Sequence, residues 1–211
     1  MIMRWLALLA AVLALFAFSP FALALDPIQL PKPLTEGGKP LMRALKDRKS
    51  SRSFSSRKLH PQILSNLLWA ANGINRPAEG KRTAPSALNL QPIDVYVAVA
   101  DGLYLYNAKA HQLDPVSKDD IRAATGGQPF VAQAPLNLVY VADQVKSGRA
   151  DESWAFADTG FIAQNVYLYC ASEGLTTVVR AMVDRTALSN AMKLRPDQKV
   201  TLAQTVGYPK K

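Results

Sequence analysis

The chain has one cysteine, Cys170, and two histidines, His60 and His111, among 211 residues. A single thiol excludes an internal disulfide. Cys170 stands in an apolar helical stretch and reads as an inert core residue. The histidines lie far apart and lack the spacing of a metal site, which argues against metal binding by them. The formal charge is +9, yet the basic residues are scattered and have no interleaved aromatics. That pattern argues against nucleic acid as partner and for solubility plus one anionic ligand. No internal repeat is visible.

Long apolar runs are also scarce. There is one, Trp5 to Phe18, behind a single positive charge at Arg4 and followed by Ser19-Pro20 and Ala22-Leu23-Ala24. Residues 1–24 therefore read as a secretory signal peptide with cleavage after Ala24, so the chain is expected to be exported, to a bacterial periplasm, without stable membrane association afterwards. The stretch to Leu25 is just long enough for an uncleaved anchor, but the unbroken run is short for a span. No cysteine marks a lipoprotein site, and no Arg-Arg pair precedes the run.

The remainder is long enough for one domain with a real core. Residues 25–38 carry three prolines and two glycines without a period, an extended arm; residues 39–211 form the domain. Helices are expected over Pro40 to Lys49, from His60-Pro61 to Asn72, over Asp119 to Ala124, over Glu152 to Glu173 and from Asp184 to about Leu194. Strands are expected over Ile93 to Ala100, Leu103 to Tyr106, Leu136 to Ala142, Thr176 to Val179 and Lys199 to Gly207. Asp101-Gly102 marks a hairpin. Asn75 to Thr83 reads as a polar loop. This irregular alternation favours α+β. The Glu152 to Glu173 stretch is apolar on nearly every side, through Trp154, Phe156, Phe161, Ile162, Val166, Tyr167, Leu168 and Tyr169. In so small a chain that implies burial by a partner as well.

Two stretches carry chemistry. Thr83 to Val97 is a turn-rich loop entering a strand, with Pro85 and Ser86 biasing the backbone. The amides of Asn89 and Gln91 can read the edge of a planar polar heterocycle. Arg48-Lys49-Ser50-Ser51-Arg52 sets three cations and two hydroxyls just after a helix, a composition suited to phosphate.

These stretches, with four others in order, resemble the nitroreductase superfamily of flavin enzymes. The features are Arg48-Lys-Ser-x-Arg-x-Phe54, Leu67-Leu-Trp-Ala-Ala-Asn-Gly-Ile74, Pro85-Ser-x-x-Asn-x-Gln-Pro92, Asp158-x-Gly-x-x-x-Gln-Asn165, the helix-Gly-Leu-strand from Glu173 to Val179, and Val206-Gly-Tyr-Pro209. The branch they look most like contains the azole-forming peptide dehydrogenases. The resemblance implies a central, mostly antiparallel sheet flanked by helices, with the long buried helix at a homodimer interface, and FMN as cofactor. By position, Arg48 and Ser50 would hold phosphate and ribityl chain with Lys49 nearby, and Arg52 would face the pyrimidine edge. Pro85, Ser86 and Asn89 would come from the other subunit. The backbone of Val179, Arg180, Ala181 and Met182 would pass near N5.

The chain also departs from that pattern. Arg180 and Met182 stand where a small, glycine-containing loop is usual, and could narrow the pocket or recruit an anionic substrate. Glu152-Ser-Trp-Ala-Phe156 lacks the Lys-Tyr pair of the azole-forming branch. The chain stops at Lys211, so either Lys210 or Lys211 would replace a later basic residue on the phosphate, or that contact is absent. The expected function is an FMN-dependent oxidoreductase passing two electrons by a ping-pong route from a reduced small-molecule donor to a small organic acceptor. The alternative is a non-catalytic flavin- or anion-binding dimer. A flavin-fragmenting enzyme is a more distant third.

Overall fold

The structure, a computed structural model, describes residues 26–148 and 151–210. The expected signal segment and Lys211 lie outside the described residues. In chain order the strands are β1 (Ile28–Gln29), β2 (Ile74–Arg76), β3 (Lys81–Arg82), β4 (Ile93–Val99), β5 (Gly102–Asn107), β6 (Gln112–Ser117), β7 (Leu136–Asp143), β8 (Thr176–Arg180) and β9 (Gln198–Gly207). The helices are α1 (Leu41–Asp47), α2 (Pro61–Asn72), α3 (Pro129–Gln133), α4 (Glu152–Glu173) and α5 (Arg185–Ala191).

Seven strands form one antiparallel sheet in the order β1-β6-β5-β4-β7-β9-β8. The central strand β7 is buried at all its positions because helices cover both faces. On one face, Leu67 and Leu68 of α2 and Ile162, Ala163 and Val166 of α4 meet Val95, Val97, Leu136 and Leu138 of the sheet. On the other, Leu188 and Met192 in and after α5 meet Ala98, Val139 and Val141. Each fully buried aliphatic side chain contributes about 1.5–3 kcal/mol. The expected α+β fold, antiparallel and flanked by helices, is the one observed.

The β4–β5 hairpin turns at Ala100-Asp101, with Val99 opposite Gly102, one residue earlier than the sequence suggests. Gly102 has φ +140 and lies against the Ser117 carbonyl, so a side chain has neither the conformation nor the room. The expected helix over Asp119 to Ala124 is instead a 3-10 turn at Arg122–Thr125. Its two flanking aspartates hydrogen-bond locally, Asp119 with Ser117 and Asp120 with Arg122, rather than starting a helix. The loop over Asn75 to Thr83 contains the small β2–β3 pair. Strand β6 and helix α3 were not expected.

Helix α4 has 22 residues, about 33 Å of rise. Asp151 caps its start by accepting from the Ser153 N–H at 2.7 Å, and Gly174 ends it at φ +70. Its buried residues, Asp158, Thr159, Ile162, Ala163, Val166, Tyr167 and Cys170, recur at helical spacing on one side. Trp154 (42 % exposed), Phe161 (49 %) and the half-buried Leu168 recur every seven residues on another side. The chain itself therefore covers only part of an all-round apolar helix. A buried polar chain ties α4 to the sheet. Tyr140 Oη donates to Gln204 Oε1 at 2.6 Å, and Gln204 Nε2 donates to Ala163 O and to Thr177 Oγ1. Among the described residues no helix is long and apolar enough to cross a membrane.

The two histidines have structural partners. His60 caps α2 through Nδ1, accepting from the Gln62 N–H at 3.3 Å. His111 lies between Ser65 Oγ, Pro31 O and Tyr106 Oη, at 2.8, 3.1 and 3.0 Å, fastening the arm to α2 and β5.

Candidate functional site

The chain leaves α1 at Arg48 and turns extended because Arg48 takes φ −57, ψ 122. The loop then runs along the outer edge of β8, an edge strand with unpaired backbone groups. Ser51 N–H donates to Thr177 O at 3.0 Å, and Phe54 bridges Pro209 at the chain end. In extended backbone, side chains alternate. Arg48 and Ser50 turn to α4: the Arg48 guanidinium lies 5.3 Å from the Tyr167 ring centre, and Ser50 Oγ is 2.7 Å from Tyr167 Oη. Lys49, Ser51 and Ser53 line a cleft of about 600 Å³ with Tyr167, Thr176 and Lys210.

Tyr167 is the joint of this arrangement. Its hydroxyl bonds Ser50 and also accepts from the Val179 N–H at 3.0 Å, so one side chain of α4 fixes both the basic loop and the end of β8. Tyr167→Phe removes both bonds and strands the Val179 N–H, at a cost of about 1–3 kcal/mol. The expected fall in Tm is roughly 2–4 °C for each kcal/mol. An unchanged Tm would show that the joint carries no load.

The cations are free to meet a ligand. The ion pairs formed among the described residues leave Arg48, Lys49, Arg52 and Lys210 without a carboxylate partner. Asp47, next in sequence, is occupied by Lys39 and Arg43, whose hydrogen bonds hold its carboxyl below the usual range. Within the cleft, Thr176 Oγ1 is buried without a hydrogen-bond partner among the described residues. Four free cations and an orphaned hydroxyl fit an anionic ligand bearing phosphate.

The end of β8 divides the residues expected around it. Val179 is held by Tyr167, and Ala181 and Met182 follow the strand, Met182 being 74 % exposed. Arg180 is the last residue of the strand and only 5 % exposed. Its guanidinium turns inward, donating to Thr125 O at 2.6 Å and Asn137 Oδ1 at 3.3 Å. Burial lowers its pKa to about 10. Only its backbone remains beside the loop, and Met182 is the long side chain that stands in it.

Pro85, Ser86 and Asn89 sit elsewhere, on the loop from β3 to β4. Leu88, Asn89 and Gln91 all have left-handed backbone, with φ 50, 55 and 50. Such conformations cost roughly 1–3 kcal/mol each for residues other than glycine and persist only where surroundings enforce them. Here Ser86 Oγ accepts from the Gln91 N–H at 3.0 Å. The Gln91 amide accepts from Arg82 at 2.7 Å and donates to Gly80 O and Asn89 Oδ1. Gln91 is thus used up internally, while the Asn89 amide nitrogen has no partner among the described residues. Asp158 of α4 anchors the loop, Oδ1 accepting from the Ala87 N–H at 3.0 Å. Its Oδ2 is buried and unpartnered among the described residues, and burial raises the carboxyl pKa.

One chain does not bring the two sets together. Asp158 and Tyr167 are nine positions apart on α4, about 13 Å along the axis and at opposite edges of its broad buried face. The structure joins Arg48, Lys49, Ser50, Arg52, Val179 and Lys210 in one region and Pro85, Ser86 and Asn89 in another. Sequence reasoning missed Tyr167, Thr176 and Asp158 as site residues. Asp158 lies in a quoted motif; Tyr167 was counted only as apolar helix surface.

The nitroreductase family profile matches residues 45–208. A protein from Ralstonia eutropha JMP134 described as a nitroreductase has a similar solved structure, at 42% identity over 89% of this chain and 93% of its own, with TM-score 0.84. A Methanocaldococcus jannaschii protein named as a nitroreductase is 34% identical over 62% of this chain and 73% of its own. A Desulfovibrio desulfuricans structure, described as a nitroreductase in complex with FMN, shares the fold at 23% identity and TM-score 0.62, over 83% of this chain and 89% of its own. The chain belongs to the nitroreductase family.

Proposed function

We propose that this nitroreductase-type oxidoreductase is an exported homodimer that uses FMN, taking two electrons from a reduced small-molecule donor and passing them to a small organic acceptor in two half-reactions. The observation that carries the cofactor is the set of cations Arg48, Lys49, Arg52 and Lys210 near the edge of β8, unpaired among the described residues. The Desulfovibrio relative solved with FMN supports it. Bound FMN would supply the two-electron chemistry. Arg48 and Ser50 would hold the phosphate and ribityl groups, with Lys49 and Lys210 adding charge. Pro85, Ser86 and Asn89 would complete the site from the second subunit, which agrees with their separation from Arg48 within one chain.

Export rests on the pattern of residues 1–24. It implies a donor other than nicotinamide cofactors, which are scarce outside the cytoplasm. Azole formation is not proposed, since the Lys-Tyr pair is missing. Of the departures behind the non-catalytic reading, the one at Arg180 falls away, because its guanidinium turns inward. Protein mixed with FMN and then desalted is expected to stay yellow with one flavin per subunit. A colourless product overturns the proposal.

Arg52 makes no side-chain hydrogen bond or ion pair among the described residues and is exposed. At the pyrimidine edge its charge would raise the two-electron potential of bound flavin. Arg52→Gln is expected to retain FMN while the potential falls by some tens of millivolts, about 30 mV for each 1.4 kcal/mol of differential stabilisation. A redox titration against a dye of known potential measures it. Equal potentials in the two flavin-loaded proteins would remove Arg52 from this role.

A further inference from the structure

Arg180 is a buried guanidinium without a carboxylate partner among the described residues. A charge taken out of water without a counter-ion is costly, so its retention calls for a compensating role. Two of its nitrogens are tied to Thr125 O and Asn137 Oδ1, while Nε has no partner among the described residues. Asn137 is itself fixed, donating to Val131 O at 2.9 Å and accepting from Thr205 Oγ1 at 2.5 Å. The backbone of Gly126 lies directly against the guanidinium, so that even a methyl group there would overlap Nη1. A second link runs parallel: Gln128 Nε2 contacts Met182 Sδ at 3.7 Å. The segment Thr125 to Gln128 is thereby attached to the end of β8 twice, from inside by Arg180 and from outside through Met182.

We propose that Arg180 is a latch, a positioning residue that holds Gly126 to Gln128 against the end of β8, so that Gln128 and Met182 form one wall of the acceptor pocket. The role in acceptor binding rests on the flavin reading above; the latch itself does not. A buried donor fork suits it, because two bonds in fixed geometry resist the rotation that a single lysine bond would allow. Met182 and Gln128 are partly solvent-exposed and rotatable, and without the latch their wall would lose its fixed distance from the strand.

The experiment compares the native full chain with Arg180→Met and Arg180→Lys by hydrogen exchange and by single-turnover kinetics. Amides of residues 125–128 are expected to exchange about tenfold faster or more in Arg180→Met, with β7 and β9 unchanged, and to be partly protected again in Arg180→Lys. Reduced, FMN-loaded protein mixed with nitrobenzene should show a half-saturating concentration raised about tenfold, with the limiting rate within roughly threefold of native. Unchanged exchange in residues 125–128, or faster exchange spread evenly through the sheet, overturns the latch. A limiting rate that collapses at unchanged half-saturation overturns the wall. If Arg180→Met does not fold, Gly126→Ala tests the same contact from the opposite side. A native protein that takes up no FMN refutes the flavin reading, and the exchange result still decides the latch.

Discussion

Arg48→Ala is expected to bind FMN ten- to a hundredfold more weakly than the native chain, if the proposed phosphate site is right. Its guanidinium packs at 5.3 Å over the Tyr167 ring and meets no carboxylate among the described residues, so it is held in place without being neutralised. A charge-assisted hydrogen bond to phosphate contributes about 1.5–3 kcal/mol, and each 1.4 kcal/mol is about tenfold in affinity. The substitution leaves the fold intact, since the helix-ending bond from the Arg48 N–H to Ala44 O belongs to the backbone. Arg48→Lys falls between the two, because an ammonium keeps the charge and loses the two-pronged grip. A fluorescence titration of apoprotein with FMN reads the difference. Equal affinities would move the phosphate into the cleft of Lys49 and Lys210, which a paired substitution of those lysines then checks.

If the proposed dimer forms through α4, Phe161→Glu is expected to separate its subunits and to release the cofactor with them. Trp154, Phe161 and Leu168 make a seven-residue stripe on α4, and Leu41, Met42 and Leu45 of α1 are likewise exposed. Leu88, at 79 % exposure, tips the strained loop. So much exposed apolar surface on adjoining elements supports the proposed homodimer, in which α4 would be the element the two halves of the site share. A carboxylate at the centre of such a seam costs at least about 2 kcal/mol, the scale of an interface hot spot. The native protein is expected to scatter light as a dimer at micromolar concentration. Phe161→Glu should be monomeric and colourless. A stable, folded native monomer at that concentration would end the proposal, as would a yellow, dimeric Phe161→Glu.

The fold was legible where apolar periodicity is strong. The long helix and its glycine stop, and strands β4, β7, β8 and β9 follow from pattern and propensity alone. Strand β6 was hidden because Pro115 and Asp114 interrupt it. It is held by pairing with β5 and by the arm strand β1, a tertiary contact that overrides weak local preference. The site shows the same division. Residue types single out the basic loop as a phosphate candidate, but the direction of Arg180 depended on one residue of strand length. Ending β8 at Val179 leaves Arg180 in the loop; continuing it by one residue places Arg180 on the face of Thr176 and Val178, toward the interior. The hydroxyl of Tyr167 was invisible for a related reason, since an apolar count ignores the polar tip of a tyrosine.

The left-handed conformations at Leu88, Asn89 and Gln91 have a consequence for how fast two chains would meet in the proposed dimer. Its internal bonds to Arg82, Ser86 and Asp158 fix the loop within a single chain. The ordering cost is therefore met during folding, and little conformational entropy remains to be lost at encounter. Association should then proceed near the usual rate for rigid protein surfaces, about 10⁵–10⁷ M⁻¹s⁻¹, without the slow phase of a loop that must first find its shape.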